Sequence, residues 1–205
     1  MKKELLIIGL TIFSFTLLHA QKKYYLGIRG GINFSNMTTG DSYEKSGKTG
    51  TNIGLLAEIS FCDKFSIQTE ILFSIQGANT HLAMDGVPYP GNPSILPISA
   101  EYKFNYVQIP VLAKVYLIKK LSFEIGPSFN FLTKGEQTSE LYTAENIGNK
   151  FEFSGILGLS YKINKRIFVS SRYFRGFSNV LKSNELYYFG QAKNFGFQLD
   201  MGYLF

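Results

Sequence analysis

From Leu26 to its last residue the chain alternates apolar and polar side chains with a period of two, in eight separate runs. That period belongs to a β-strand with two chemically different faces, whereas a helix repeats its apolar stripe every three to four residues. The first run sets Leu26, Ile28, Ile32 and Phe34 against Gly27, Arg29, Gly31 and Asn33. The third sets Phe65, Ile67, Thr69, Ile71, Phe73 and Ile75 against Ser66, Gln68, Glu70, Leu72, Ser74 and Gln76. The last is equally strict, with Phe195, Phe197, Leu199, Met201, Tyr203 and Phe205 on one face. Comparable runs cover 52–61, 106–117, 121–131, 151–163 and, more weakly, 169–177. Most reach the roughly 9–11 residues that a tilted strand needs to cross a bilayer. No helix-period segment separates them.

The connections alternate in length. Cys62-Asp63-Lys64, Ile118-Lys119-Lys120 and Asn164-Lys165-Arg166 are short, while 35–50, 78–100, 133–149 and 178–193 are long. Short periplasmic turns alternating with long outer loops mark a transmembrane barrel, and an even strand count puts both termini on the periplasmic side. Pro88, Pro90, Pro93 and Pro97 all fall in the second long connection, where non-sheet backbone is expected.

The N-terminus has a different character. Lys2 and Lys3 precede an apolar run from Leu5 to Leu18, and His19-Ala20 leads into Gln21. This is the layout of a cleaved secretory signal over residues 1–20, although Leu18 stands where a small residue is usual. Residues 21–205 then form one domain. The whole chain carries +6, with acids and bases interspersed, which gives no reason to expect a nucleic-acid partner. Cys62 is the sole cysteine, so no internal disulfide staples the fold. Abundant aromatics (19 Phe, 13 Tyr) and the lack of a second long apolar stretch favour strands with aromatic belts over membrane helices.

Two eight-stranded barrels fit this pattern. A soluble, lipocalin-like barrel turns its apolar face inward, and a membrane barrel turns it outward. The apolar phase here carries Phe, Tyr, Leu and Ile on nearly every strand, more bulk than a small barrel encloses. The polar phase is rich in Gly, Ser, Asn and Gln, which suits a crowded, hydrogen-bonded lumen. The expected fold is therefore an all-β, up-and-down, eight-stranded antiparallel transmembrane barrel, integral to the outer membrane of a Gram-negative cell. Its lumen receives Arg29, Glu58, Glu70, Lys114, Glu124, Glu152, Lys162, Arg172 and Asp200. Five acids and four bases favour mutual pairing and a closed polar core, with an ion or proton path as the functional alternative.

Several segments resemble a known family. Gly30-Gly31-Ile32-Asn33-Phe34-Ser35, the stretch from Phe65 to Ser74, Asn105 to Leu112, Glu124-Ile125-Gly126-Pro127 and the Phe197-to-Phe205 strand are similar to the PorT-like outer-membrane β-barrel proteins. Pro110 and Pro127 sit within alternating runs, and a bulge is expected at each, because proline removes a ladder hydrogen bond. The resemblance implies an eight-stranded outer-membrane barrel. Its namesake is associated with secretion of exported proteases, so an accessory role in a secretion system is the alternative function. The last strand also resembles the signal read by the barrel-assembly machinery through Gln198, Tyr203 and Phe205, while Asp200 departs from that pattern.

No catalytic or metal constellation emerges, and no cofactor is expected. His81 lies in the second long connection, away from any strand-borne serine or acid motif, and Cys62 is isolated in a turn. Asp41, Glu44 and Asp85 are scattered loop acids. Arg175, at the outer end of the seventh run on the lipid face, reads as a snorkelling residue or as a contact to lipid phosphate. The expected role is structural or loop-mediated binding rather than catalysis. The expected partners are outer-membrane lipid and lipopolysaccharide, the assembly machinery, and a protein held by the loops.

Overall fold

A computed structural model describes residues 23–38, 45–83, 97–139, 143–182 and 191–205. The leader segment 1–20, the loop acids Asp41, Glu44 and Asp85, and Pro88, Pro90 and Pro93 lie outside them. The strands are β1 (Lys23–Thr38), β2 (Lys45–Cys62), β3 (Phe65–Ala83), β4 (Pro97–Ile118), β5 (Leu121–Ser139), β6 (Thr143–Glu145), β7 (Phe151–Lys162), β8 (Ile167–Gly176) and β9 (Lys193–Leu204). Each long strand pairs antiparallel with its sequence neighbours, and the three-residue β6 hangs from the outer end of β5. Pairing of β1 with β9, from Gly27↔Leu204 to Thr38↔Lys193, closes eight strands into a barrel.

Burial is inverted relative to a soluble protein. Leu26 is 63% exposed, Met201 59% and Phe205 71%, while Arg29 is 2% exposed and Arg172 1%. The apolar phase therefore forms an outer belt and the polar phase fills the interior, as lipid on one side and a narrow lumen on the other require.

The strands run further than their alternation. β3 and β4 stay paired as far as Ala83↔Pro97, and β5 reaches Ser139. Pro97 and His81 accordingly belong to strands rather than to a loop, and His81 pairs through its backbone with Ser99. Strands β2 to β5, at 18, 19, 22 and 19 residues, make a wall that stands above β7, β8 and β9, at 12, 10 and 12. Towards the long-loop end the outward positions need not be apolar: Glu101 is exposed there and pairs with Lys48, and Lys134 pairs with Glu136. The ladder continues although the lipid-facing apolar row stops, and on β4 the apolar residues Ala100, Tyr102 and Phe104 turn inward instead.

The expected bulges at the prolines are absent. Pairing of β3 with β4 skips Glu70 and Ile71 opposite Pro110, then resumes at Leu72↔Gln108 in the same register as Thr69↔Val111. On the other side Pro110↔Ser128 and Ala113↔Ile125 also share a register across Pro127. Each strand of a closed barrel has two neighbours, so a proline drops rungs on one side while the other holds it in line. The register shifts fall elsewhere, at Asn105/Tyr106, Gly47/Asn52, Ser60/Cys62 and Tyr116/Ile118.

Candidate functional site

The interior is layered from the short-turn end to the long-loop end. Leu56, Phe168 and Leu204, with Tyr25 against them, form a small apolar floor. Beside and above it lies a charge network to which every barrel strand contributes one group. Arg29 (β1) donates to Glu70 (β3) at 2.8 Å and to Ser170 at 3.2 Å, and it also pairs with Asp200 (β9). Arg172 (β8) grips Glu70 through two bonds of 2.9 Å, and its Nε donates to Glu124 (β5) at 2.6 Å. Lys114 (β4) reaches Glu58 (β2) at 3.0 Å, Gln68 at 2.8 Å and Glu124 at 3.3 Å. Lys162 (β7) sits farther out, 3.8 Å from Glu58 and 4.8 Å above the Tyr116 ring, with 22% of its side chain exposed.

Local sequence makes room for these groups. A Cβ on Gly31 would lie 2.4 Å from the Asp200 carboxylate, and one on Gly158 would lie 2.6 Å from Arg172 Cγ. Inward glycines thus alternate with inward long side chains across the lumen. Buried ions are expensive unless paired and hydrogen-bonded. Here Tyr116 and Ser66 add bonds to Glu58 at 2.6 and 3.0 Å, and Gln68 bridges Lys114 to Glu70.

Eight of the nine lumen charges therefore meet, four of each sign. Glu152 does not join them. It lies on β7 ten residues before Lys162, near the long-loop end, 1% exposed, and accepts from Asn194 Nδ2 at 3.1 Å. No cation approaches it among the described residues, and its Oε1 has no hydrogen-bond partner. Neutral side chains fill this outer half: Asn33 bonds Ser74 at 2.8 Å and Asn52 at 2.8 Å, and Asn130 bonds Ser154 at 2.9 Å.

A feature missing from the sequence reading closes the outer mouth. Met37 on β1 and Ala78, Ala100, Tyr102, Phe104 and Tyr106 on the raised wall pack against Ile147, Val180, Leu181 and Ala192 from segments expected to be loops. Those segments hold each other through Gly148↔Leu181 and through Asn149, which donates to the Asn179 and Leu181 carbonyls at 2.9 Å. Asn146, at φ 60°, takes the left-handed turn that an asparagine tolerates. Ala100, Tyr102, Phe104 and Tyr106 alternate with Glu101, Lys103 and Asn105 on the phase opposite to the lipid-facing rows, while the other apolar residues of the cap are scattered along the chain. The signals available in the sequence are that inverted alternation and Val180-Leu181, an apolar pair inside a polar connection.

Of the terminal-strand residues, Tyr203 and Phe205 share the outer face, rings 5.9 Å apart, while Gln198 points into the lumen and is 1% exposed. The Phe205 amide donates to Leu26 O at 2.8 Å, so the last residue is stitched to β1. Cys62 is exposed and free at the end of β2. Among the described residues no three His, Cys, Asp or Glu side chains gather as metal ligands would.

The sequence profile of the outer membrane protein beta-barrel domain matches residues 19–182. No curated protein matches the chain. Among solved structures, Ail, the attachment invasion locus protein of Yersinia pestis, in complex with the heparin analogue sucrose octasulfate, is 13% identical over 89% of this chain and 99% of its own, with a TM-score of 0.53. Neisserial surface protein A is 7% identical over 91% and 100%, and a major outer membrane protein of Thermus thermophilus is 11% identical over 89% and 100%, each with a TM-score of 0.53. At such identities these likenesses concern the fold, and the fold is theirs: a small closed barrel. With most of its length matched by the family profile, the chain belongs to the outer membrane β-barrel domain family and is an integral outer-membrane protein.

Proposed function

We propose that this barrel is a non-catalytic structural and binding protein, closed to solute traffic, that meets its partners through its outer end. The observation that carries the proposal is the double filling of the interior, with a paired charge network below and an apolar cap above. A barrel of eight strands is just wide enough for side chains to fill, and these do. Four of the five lumen acids are committed to arginine and lysine, and the fifth, Glu152, is buried against Asn194 with no serine or histidine bonded to it and no metal-ligand set around it among the described residues. The raised β2–β5 wall and the segments around Gly148 and Leu181 then form the surface on which a protein partner rests. Lipopolysaccharide would surround the wall below that surface, and Tyr203 and Phe205 would present the terminal strand to the assembly machinery.

In this reading residues 1–20 are removed on export, so that the mature chain begins at Gln21, which the mass of the membrane-extracted protein reads. Both termini and the short turns are periplasmic. Cys62, the sole cysteine, is a built-in reporter of that orientation. A membrane-impermeant maleimide should leave it unlabelled in intact cells and label it after lysis. Labelling in intact cells would invert the barrel. Placement among the PorT-like members, and with it an accessory role in secretion, rests on the quoted sequence segments. Co-purification of secretion components from solubilised outer membrane would favour that role over an independent barrel.

A further inference from the structure

Along the outward faces of β1, β7, β8 and β9 the residues are apolar or small and neutral until the outer ends, where Arg175 breaks the pattern. Tyr173 on β8 and Phe177 just beyond it flank Arg175, Gly155 faces it on β7, and Phe195 faces it on β9. It is exposed, and among the described residues its guanidinium has neither a hydrogen bond nor an ion pair. The nearest acids by register, Glu152 and Asp200, point into the lumen and are buried. A cation on the lipid face becomes less costly the closer it lies to the headgroups.

A second cation stands beside it. Lys193 opens β9 two residues before Phe195, on the same outward face, and is therefore the diagonal neighbour of Arg175. Such neighbours lie about 7–8 Å apart, which long side chains span. Phe177 does not fill the space between them. Its ring lies over Gly155, 3.0 Å from where a Cβ would be, and stacks with Phe153 at 5.9 Å, both on β7 and away from β9. Tyr173 and Phe197, 5.2 Å apart, underlie the gap on its membrane side. The result is an open notch with two cations above an aromatic floor, at the long-loop end of the outward face.

We propose that Arg175 and Lys193 bind a phosphate of lipid A in the outer leaflet. The guanidinium fork suits two phosphate oxygens and the ammonium adds a point charge, while the aromatic pair rests against the acyl chains. This rests on the orientation given above, since at a periplasmic end the same notch would meet phospholipid.

The test is native mass spectrometry of the full-length barrel with lipid A, dephosphorylated lipid A or phosphatidylglycerol, on wild type and Arg175→Gln/Lys193→Gln. Arg166→Gln, in the turn at the opposite end, is the control. Heat-modifiable gel migration verifies that each variant is folded. Retention of lipid A should fall on the order of tenfold or more in the double variant, fall similarly on dephosphorylation, and stay unchanged in Arg166→Gln. Equal retention by the double variant, or of the dephosphorylated lipid, overturns the site and leaves Arg175 a snorkelling side chain. A preference for phosphatidylglycerol overturns lipid A as the ligand. Labelling of Cys62 in intact cells separately identifies failure of the orientation.

Discussion

Arg172 commits both edges of its guanidinium, giving two bonds to Glu70 and one to Glu124, so its loss would leave Glu70 with Arg29 as its one cation and Glu124 with Lys114 at 3.3 Å. Arg172→Met should therefore destabilise the barrel by about 3–5 kcal/mol, measured by urea unfolding in micelles. Glu152→Gln should cost little or stabilise, because it removes a buried charge with no cation beside it while an amide can still meet Asn194. Equal losses in the two variants would contradict the division of the lumen into a paired layer and a lone acid. The parity of the sequence assigns all nine charges to the inward phase. It could not say which of the five acids was left over, because parity reports the face of a strand and not the height along it. Glu152 and Lys162 share a face of β7 yet sit at opposite ends.

At the scale of elements, hydrophobic alternation marks where a strand touches lipid and not where it ends. Thus 35–50 and 78–100 read as loops, although β1, β2, β3 and β4 all extend into them. The outward residues there face water, and nothing demands that they be apolar. The cap is hard to read for a related reason: Ala100, Tyr102, Phe104 and Tyr106 do alternate with period two, but on the phase that faces the lumen lower down, and its other apolar residues come singly or as one pair from scattered places in the chain. Leu181→Asp would put a charge into that cluster and should release the segments around Gly148 and Leu181. Trypsin cleavage at Lys150 and Lys182 should then accelerate by on the order of tenfold or more, with the membrane part of the barrel remaining intact. Unchanged cleavage would mean that the cap does not hold those segments.

Viewed whole, the molecule places one network charge on each of eight strands and closes the sheet through β1 and β9. A slip of one residue in any strand would turn its charge toward lipid and its apolar row inward, so the network fixes register for the entire barrel. That architecture was legible in the sequence because the same period-two pattern encodes both the outer belt and the polar filling. The central claim is that the filling seals the barrel, and electrical recording of the purified protein in a planar lipid bilayer tests it most directly. The account predicts no steady conductance above the bare bilayer; a stable, ion-selective conductance would contradict it.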